Sequence, residues 1–184
     1  IRFLCYPRGR RDVGQRLLEH GEAWVRDAGL DSLLVYRQDY RYPFYHFSHA
    51  FISNHLEHVQ ALLLLNGYAT CGGEVFLDWP NMAPTEPGES SGPEVDLKVV
   101  HTSGSGNRPD LELKAYLQGE EIAQCQCISG GSFSRDPQVE DWIFTQWLGV
   151  TDAYQGGGLG RYLLASALCE AQSLGYRHAA ISTD

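Results

Sequence analysis

The chain has 184 residues, a formal net charge of −9 from 14 basic and 23 acidic side chains, and 43% hydrophobic against 20% charged residues. That balance fits one soluble domain or two small ones with a substantial core, and excludes a disordered chain. The acidic field argues against a nucleic-acid partner, no apolar run reaches membrane-span length, and no segment has the form of a signal peptide.

The opening IRFLCY reads as a strand, followed by Arg8, Arg10 and Arg11 in a solvated loop. Helical spacing then places Leu17, Leu18, Gly21, Trp24, Val25 and Ala28 on one face, with Gly29 as the stop. DSLLVY reads as a buried strand. The aromatic run over 36–51 is irregular around Pro43, and either lines a cleft or packs as a satellite core. ISNHLEHVQALLLLNG is a helix ending at Asn66-Gly67, and ATCGGEVFLDW a strand broken at Gly72-Gly73. Residues 80–93, rich in proline, read as a linker. EVDLKVVHT is a strand, and a hairpin turns at Gln118-Gly119-Glu120. WIFTQWLGV is a strand, followed by a glycine loop, a helix to about Leu174 capped by Gly175, and the strand HAAIS.

Five cysteines, an odd number without a C-x-x-C pair, offer no disulfide framework. Cys125 and Cys127 share one strand face and read as small buried apolar residues in a reducing compartment, which makes the cytoplasm the expected location. His46, His49, His55 and His58 are loosely spaced with no cysteine nearby, so packed or exposed histidines are expected and no metal site.

A shift of 146 residues sets Gly14 on Gly160, Leu17-Leu18 on Leu163-Leu164 and Gly29 on Gly175, in the same strand–loop–helix–strand order. The expected organisation is two related, incomplete units: 1–79 as the second half of one, 80–93 as linker, and 94–184 as the first half of another. Either the chain is trimmed or two half-units complete each other, and a homodimer is one way to do so.

Four glycines fall within the five positions from Gly156 to Gly160. A strand, a glycine-rich turn and a helix N-terminus form an anion site, because the first-turn N–H groups are unpaired and the helix dipole is positive there. The P-loop pattern fails, since Arg161-Tyr162 follows Gly160, and the G-x-G-x-x-G fingerprint fails as well. What stands is Gln155-x-x-Gly158-x-Gly160.

That pattern, with its strand before and helix and strand after, resembles the acetyl-CoA-binding core of the GNAT N-acetyltransferases, over roughly 142–184 and more loosely from Leu111. The tandem arrangement is similar to fused GNAT proteins with a degenerate first unit. The resemblance implies an α/β fold, a mixed sheet flanked by helices, and transfer of acetyl from acetyl-CoA to a small-molecule or peptide amine. It implies that backbone at Leu148, Gly149 and Val150 bonds the pantetheine arm, that main-chain N–H groups from Gln155, Gly156, Gly157, Gly158, Leu159, Gly160 and Arg161 hold the pyrophosphate, and that the flanking strands splay. The first unit sets Asp12 at the position of Gly158, where a carboxylate repels a pyrophosphate; that unit is expected to be structural.

Amine acetylation needs a base or water chain and a donor to the thioester oxygen, for which the Val150 N–H is placed. Glu140 and Asp141 are the candidate bases, though both are equally at home as solvated residues before Trp142. The acid that the resemblance implies, a Tyr on the helix after HAAIST, has no counterpart; the aligned position in the first unit is Leu63. A non-catalytic acyl-CoA-binding or scaffolding protein is therefore the rival expectation.

Overall fold

The computed structural model describes residues 1–37, 52–88, 92–104 and 107–183. They fall into two units, Ile1–Glu74 and Val75–Asp184. In the second, strands β1 (Val75–Trp79), β2 (Asp96–Thr102), β3 (Asp110–Leu117), β4 (Glu120–Ser129), β5 (Trp142–Val150) and β6 (His178–Thr183) form one sheet in the order β1-β6-β5-β4-β3-β2. Only β5 and β6 run parallel, and the helix α3 (Leu159–Ser173) connects them, as a parallel pair requires.

The sheet's core is written in two periodicities. Leu111, Leu113 and Ala115 on β3 and Cys125 and Cys127 on β4 alternate inward, all 2% exposed or less. Leu159, Leu163, Ala167 and Ala171 recur every fourth residue along α3 and pack into the same cluster. The hairpin turns through Gln118 and Gly119, both at positive φ (52° and 87°), as a tight two-residue turn demands. The two buried thiols are free, their sulfurs 3.8 Å apart.

Two expectations are corrected in this unit. Residues 75–79, assigned with the first stretch of the chain, are β1 and pair antiparallel with β6 from Val75↔Thr183 to Trp79↔Ala179. The stretch 80–93 is no free tether where it is described. Met82 is buried, its N–H donates to the Arg177 carbonyl at 2.8 Å, and the Gln172 amide and Cys169 thiol of α3 donate to the carbonyls of Met82 and Thr85. Proline removes donors but leaves those carbonyls to be satisfied.

The first unit holds α1 (Arg11–Asp27) and α2 (Glu57–Leu65) around Leu4, Tyr6, Leu18, Tyr36, Val59, Leu62 and Leu63. On α1 the buried face runs through Gly14 and Leu18, while the expected Leu17 and Trp24 face solvent. Neither IRFLCY nor DSLLVY forms a strand. The two meet through Tyr36 N–H to Ile1 O (3.3 Å) and the Ile1 ammonium to Leu34 O (2.7 Å), and Tyr36 at φ 56° ends the extended run before a ladder can grow. From residue 38 on, the aromatic run lies outside the described residues. No described helix is long and apolar enough to cross a membrane.

Candidate functional site

The glycine loop sits where β5 leaves its parallel neighbour. The β5–β6 ladder runs from Trp142↔His178 to Thr145↔Ile181 and stops, while β5 continues to Val150 paired only with β4. The cause lies in the β4 register, which jumps from Cys127↔Thr145 to Gln126↔Trp147 and leaves Gln146 as an extra residue on β5. A bulge of this kind bends its strand and increases the twist, opening a splay on the β6 side.

The phase of the remaining ladder tells which backbone groups face that splay. The Thr151 N–H donates to Ile122 O at 2.9 Å, so Thr151 points toward β4. Alternation then turns the N–H and C=O of Val150 and Leu148 toward the splay, and those of Gly149 toward β4. Of the three expected backbone sites, Leu148 and Val150 present polar groups to the opening and Gly149 does not. The side chains of Leu148 and Val150 pack toward α3 against the core. Gly149 has a different reason to be glycine: a Cβ there would lie 2.9 Å from Nε1 of Trp147, whose indole leans over it.

After Val150 the chain makes one 3-10 turn, Asp152–Tyr154, and enters the glycines. Gly156 and Gly158 stand at φ 81° and 80°, conformations an L side chain adopts only under strain. Gly157 approaches the backbone of Gly92, where a Cβ would meet Cα at 3.2 Å. Gly158 is the N-cap of α3 and offers no side chain, and the first turn carries no acidic residue. The first α3 bond to Gly158 O comes from Tyr162 at 2.9 Å, so the N–H groups of Leu159, Gly160 and Arg161 precede the helical ladder. Leu159 contributes only backbone here, its side chain being 1% exposed in the core, and Arg161 is exposed.

Gln155 acts as a strut, which the sequence reading did not assign. Its amide donates to Val150 O at 2.9 Å and to the Asp152 carboxylate at 3.0 Å, tying the loop back to the end of β5. The bulge at Gln146 and the indole of Trp147 were missed as well. An aromatic residue two positions before a strand glycine was the available signal for the latter.

The candidate bases stand elsewhere. Glu140 and Asp141 precede Trp142 at the opposite end of β5, five residues or about 16 Å of strand from the bulge. The Glu140 carboxylate accepts from the Asn107 amide at 2.8 Å, and the Asp141 carbonyl accepts from Arg177 and His178. They brace the start of the sheet, in keeping with the alternative that they are solvated residues before Trp142. A cavity of about 340 Å³ lined by Met82, Gln172, Tyr176 and Arg177 lies at the C-terminal end of α3, away from the loop. His58 bonds Tyr6 O through Nε2 at 3.0 Å, and no metal-binding group of three side chains occurs among the described residues. His46 and His49 lie outside them.

No protein-family model matches this sequence, and no curated protein matches it. Its fold has solved counterparts. A GCN5-related N-acetyltransferase from Sphaerobacter thermophilus superposes with a TM-score of 0.59 over 96% of this chain and 60% of that one, at 13% identity. Another, from Kribbella flavida, gives 0.50 over 68% of this chain and 53% of that one, at 14% identity. The chain thus spans between 53% and 60% of the length of these two proteins. At such identities the likeness establishes the fold alone, a mixed α/β sheet flanked by helices.

Proposed function

We propose that this chain binds acetyl-CoA at the β5–β6 splay and transfers its acetyl group to a small-molecule or peptide amine. One observation carries the reading: the outward backbone of Leu148 and Val150, the splay and the uncapped N-terminus of α3 form one continuous track. The N–H groups at the start of α3, reached through Gly156 and Gly158, suit a pyrophosphate, with Arg161 exposed beside them. Leu148 suits the amide-bearing pantetheine arm. The Val150 N–H is a donor for a thioester oxygen as it gains charge. In the transfer the amine nitrogen bonds the acetyl carbon as the C–S bond breaks, the nitrogen loses a proton and the sulfur gains one.

The acceptor amine and the tandem organisation belong to the same proposal. Under the 146-residue shift the last residues of α1 and α3, Asp27 and Ser173, coincide, and Gly29 and Gly175 both stand at positive φ (69° and 88°). This supports α1 as the relic of a second cofactor helix. A second reading, acyl-CoA binding without transfer, is favoured by the position of Glu140 and Asp141, which leaves no carboxylate base assigned at the splay.

The test is the melting temperature with and without acetyl-CoA, in the wild type and in Gly158→Asp. A ligand at 100 times its dissociation constant adds about 2.7 kcal/mol if it binds only the native state. We expect the wild type to shift and the variant not to. Release of free CoA thiol with an amine panel then separates transfer from binding alone; no shift in either protein overturns both readings.

A further inference from the structure

We propose that Trp147 binds the acceptor, and that the acceptor is an amine carrying a second positive charge; this rests on the acetyl-transfer reading above. α3 and its apolar contacts cover one face of the sheet at β5. An amine must therefore approach the splay from the other face. The side chains on that face are set by register: Glu112 opposes Gln126, and Gln126 opposes Trp147. Trp147 stands at the lip of the splay, one residue past the bulge, and remains 58% exposed. Its indole lies over Gly149, where a Cβ would come within 2.9 Å of Nε1.

An exposed indole face attracts a cation. The same cross-strand row carries a carboxylate, Glu112, two strand spacings or about 10 Å away. Glu112 receives the amides of Gln124 and Gln126, the latter at 3.1 Å, and Lys114 at 3.6 Å. Desolvation pushes the Glu112 carboxyl up, but hydrogen bonds from Gln126 and Gln124 and the charge of Lys114 outweigh it and hold it below its ordinary value. It is therefore anionic at neutral pH, so both the ring and the row favour a cationic group on the acceptor while its other nitrogen enters the splay.

The plain alternative is that the indole only covers a strand glycine, a known way to stabilise such positions. Selectivity separates the two. We would measure kcat/KM for 1,4-diaminobutane and for butylamine at pH 7.5, in wild type, Trp147→Ala and Trp147→Phe. The diamine should be preferred about two- to fivefold in the wild type, the size of a cation–π contact at an exposed site. Trp147→Ala should bring the ratio close to one by raising the KM of the diamine, with the KM of acetyl-CoA unchanged, and Trp147→Phe should restore most of it. A ratio that Trp147→Ala leaves unchanged, or a wild type with no preference, overturns the inference while acetyl transfer stands. Transfer to neither amine, with the acetyl-CoA melting shift intact, overturns this inference and leaves the transfer reading to the amine panel.

Discussion

Under the proposed 146-residue repeat, helices α1 and α3 align and end at matching residues, Asp27 and Ser173, yet their N-termini differ. Before α3, two glycines at positive φ bring in a chain without side chains, and the first turn has no carboxylate. Before α1, Arg10 grips Asp12 through two hydrogen bonds of 2.8 and 2.9 Å, and Asp12 sits in the first turn. A helix N-terminus attracts anions only while its own sequence does not supply one. α3 meets that condition and α1 supplies its own anion.

The sharpest way to break this contrast is Gly158→Asp, which gives α3 what α1 has. It should remove the whole ligand stabilisation, about 2.7 kcal/mol at 100 times the dissociation constant. The next effect separates the aligned glycines at 14 and 160. A Cβ on Gly14 would lie 2.5 Å from the Tyr6 ring, and that ring is buried and pinned by its hydroxyl on His58 O at 2.6 Å. Gly14→Ala should lose about 1–3 kcal/mol in urea unfolding through overpacking. A Cβ on Gly160 meets only Val150 Cγ2, at 3.5 Å, an ordinary contact. Gly160→Ala should be neutral or gain up to roughly 1 kcal/mol of helix propensity, and should keep its acetyl-CoA shift. Equal losses at the two positions would mean that the alignment marks one packing demand rather than two.

What the sequence made legible was local. The stripe of Leu159, Leu163, Ala167 and Ala171, the Gln118-Gly119 turn and the glycine loop each need only neighbours in the chain to be read. What it hid was pairing at long range. Val75–Trp79 meets Thr183–Ala179 more than a hundred residues away, and nothing in five apolar-rich residues names that partner. The first unit shows the same limit from the other side. IRFLCY has strand composition, but composition supplies no ladder partner, and Tyr36 in the left-handed region stops the nearest candidate. The bulge that fixes where the splay begins was hidden as well, because an extra residue on β5 shows only against the β4 register.

The smallest effect tests what neutralises α1. Asp12 is exposed, and its carboxyl is held down to about 2, chiefly by the hydrogen bond from Arg10, with desolvation opposing and the Arg10 charge adding. Because the folded value is depressed, any stability this group contributes is present above the ordinary carboxylate range and is lost as pH falls toward 2. Exposure keeps that contribution small. Following the Asp12 carboxyl by NMR titration in Arg10→Ala should show its midpoint rising toward the ordinary value. A midpoint that stays near 2 without Arg10 would assign the depression to the helix N-terminus itself. The end of α1 would then be an anion site already filled by its own carboxylate, and the difference from α3 would rest on that one side chain rather than on the arginine that holds it.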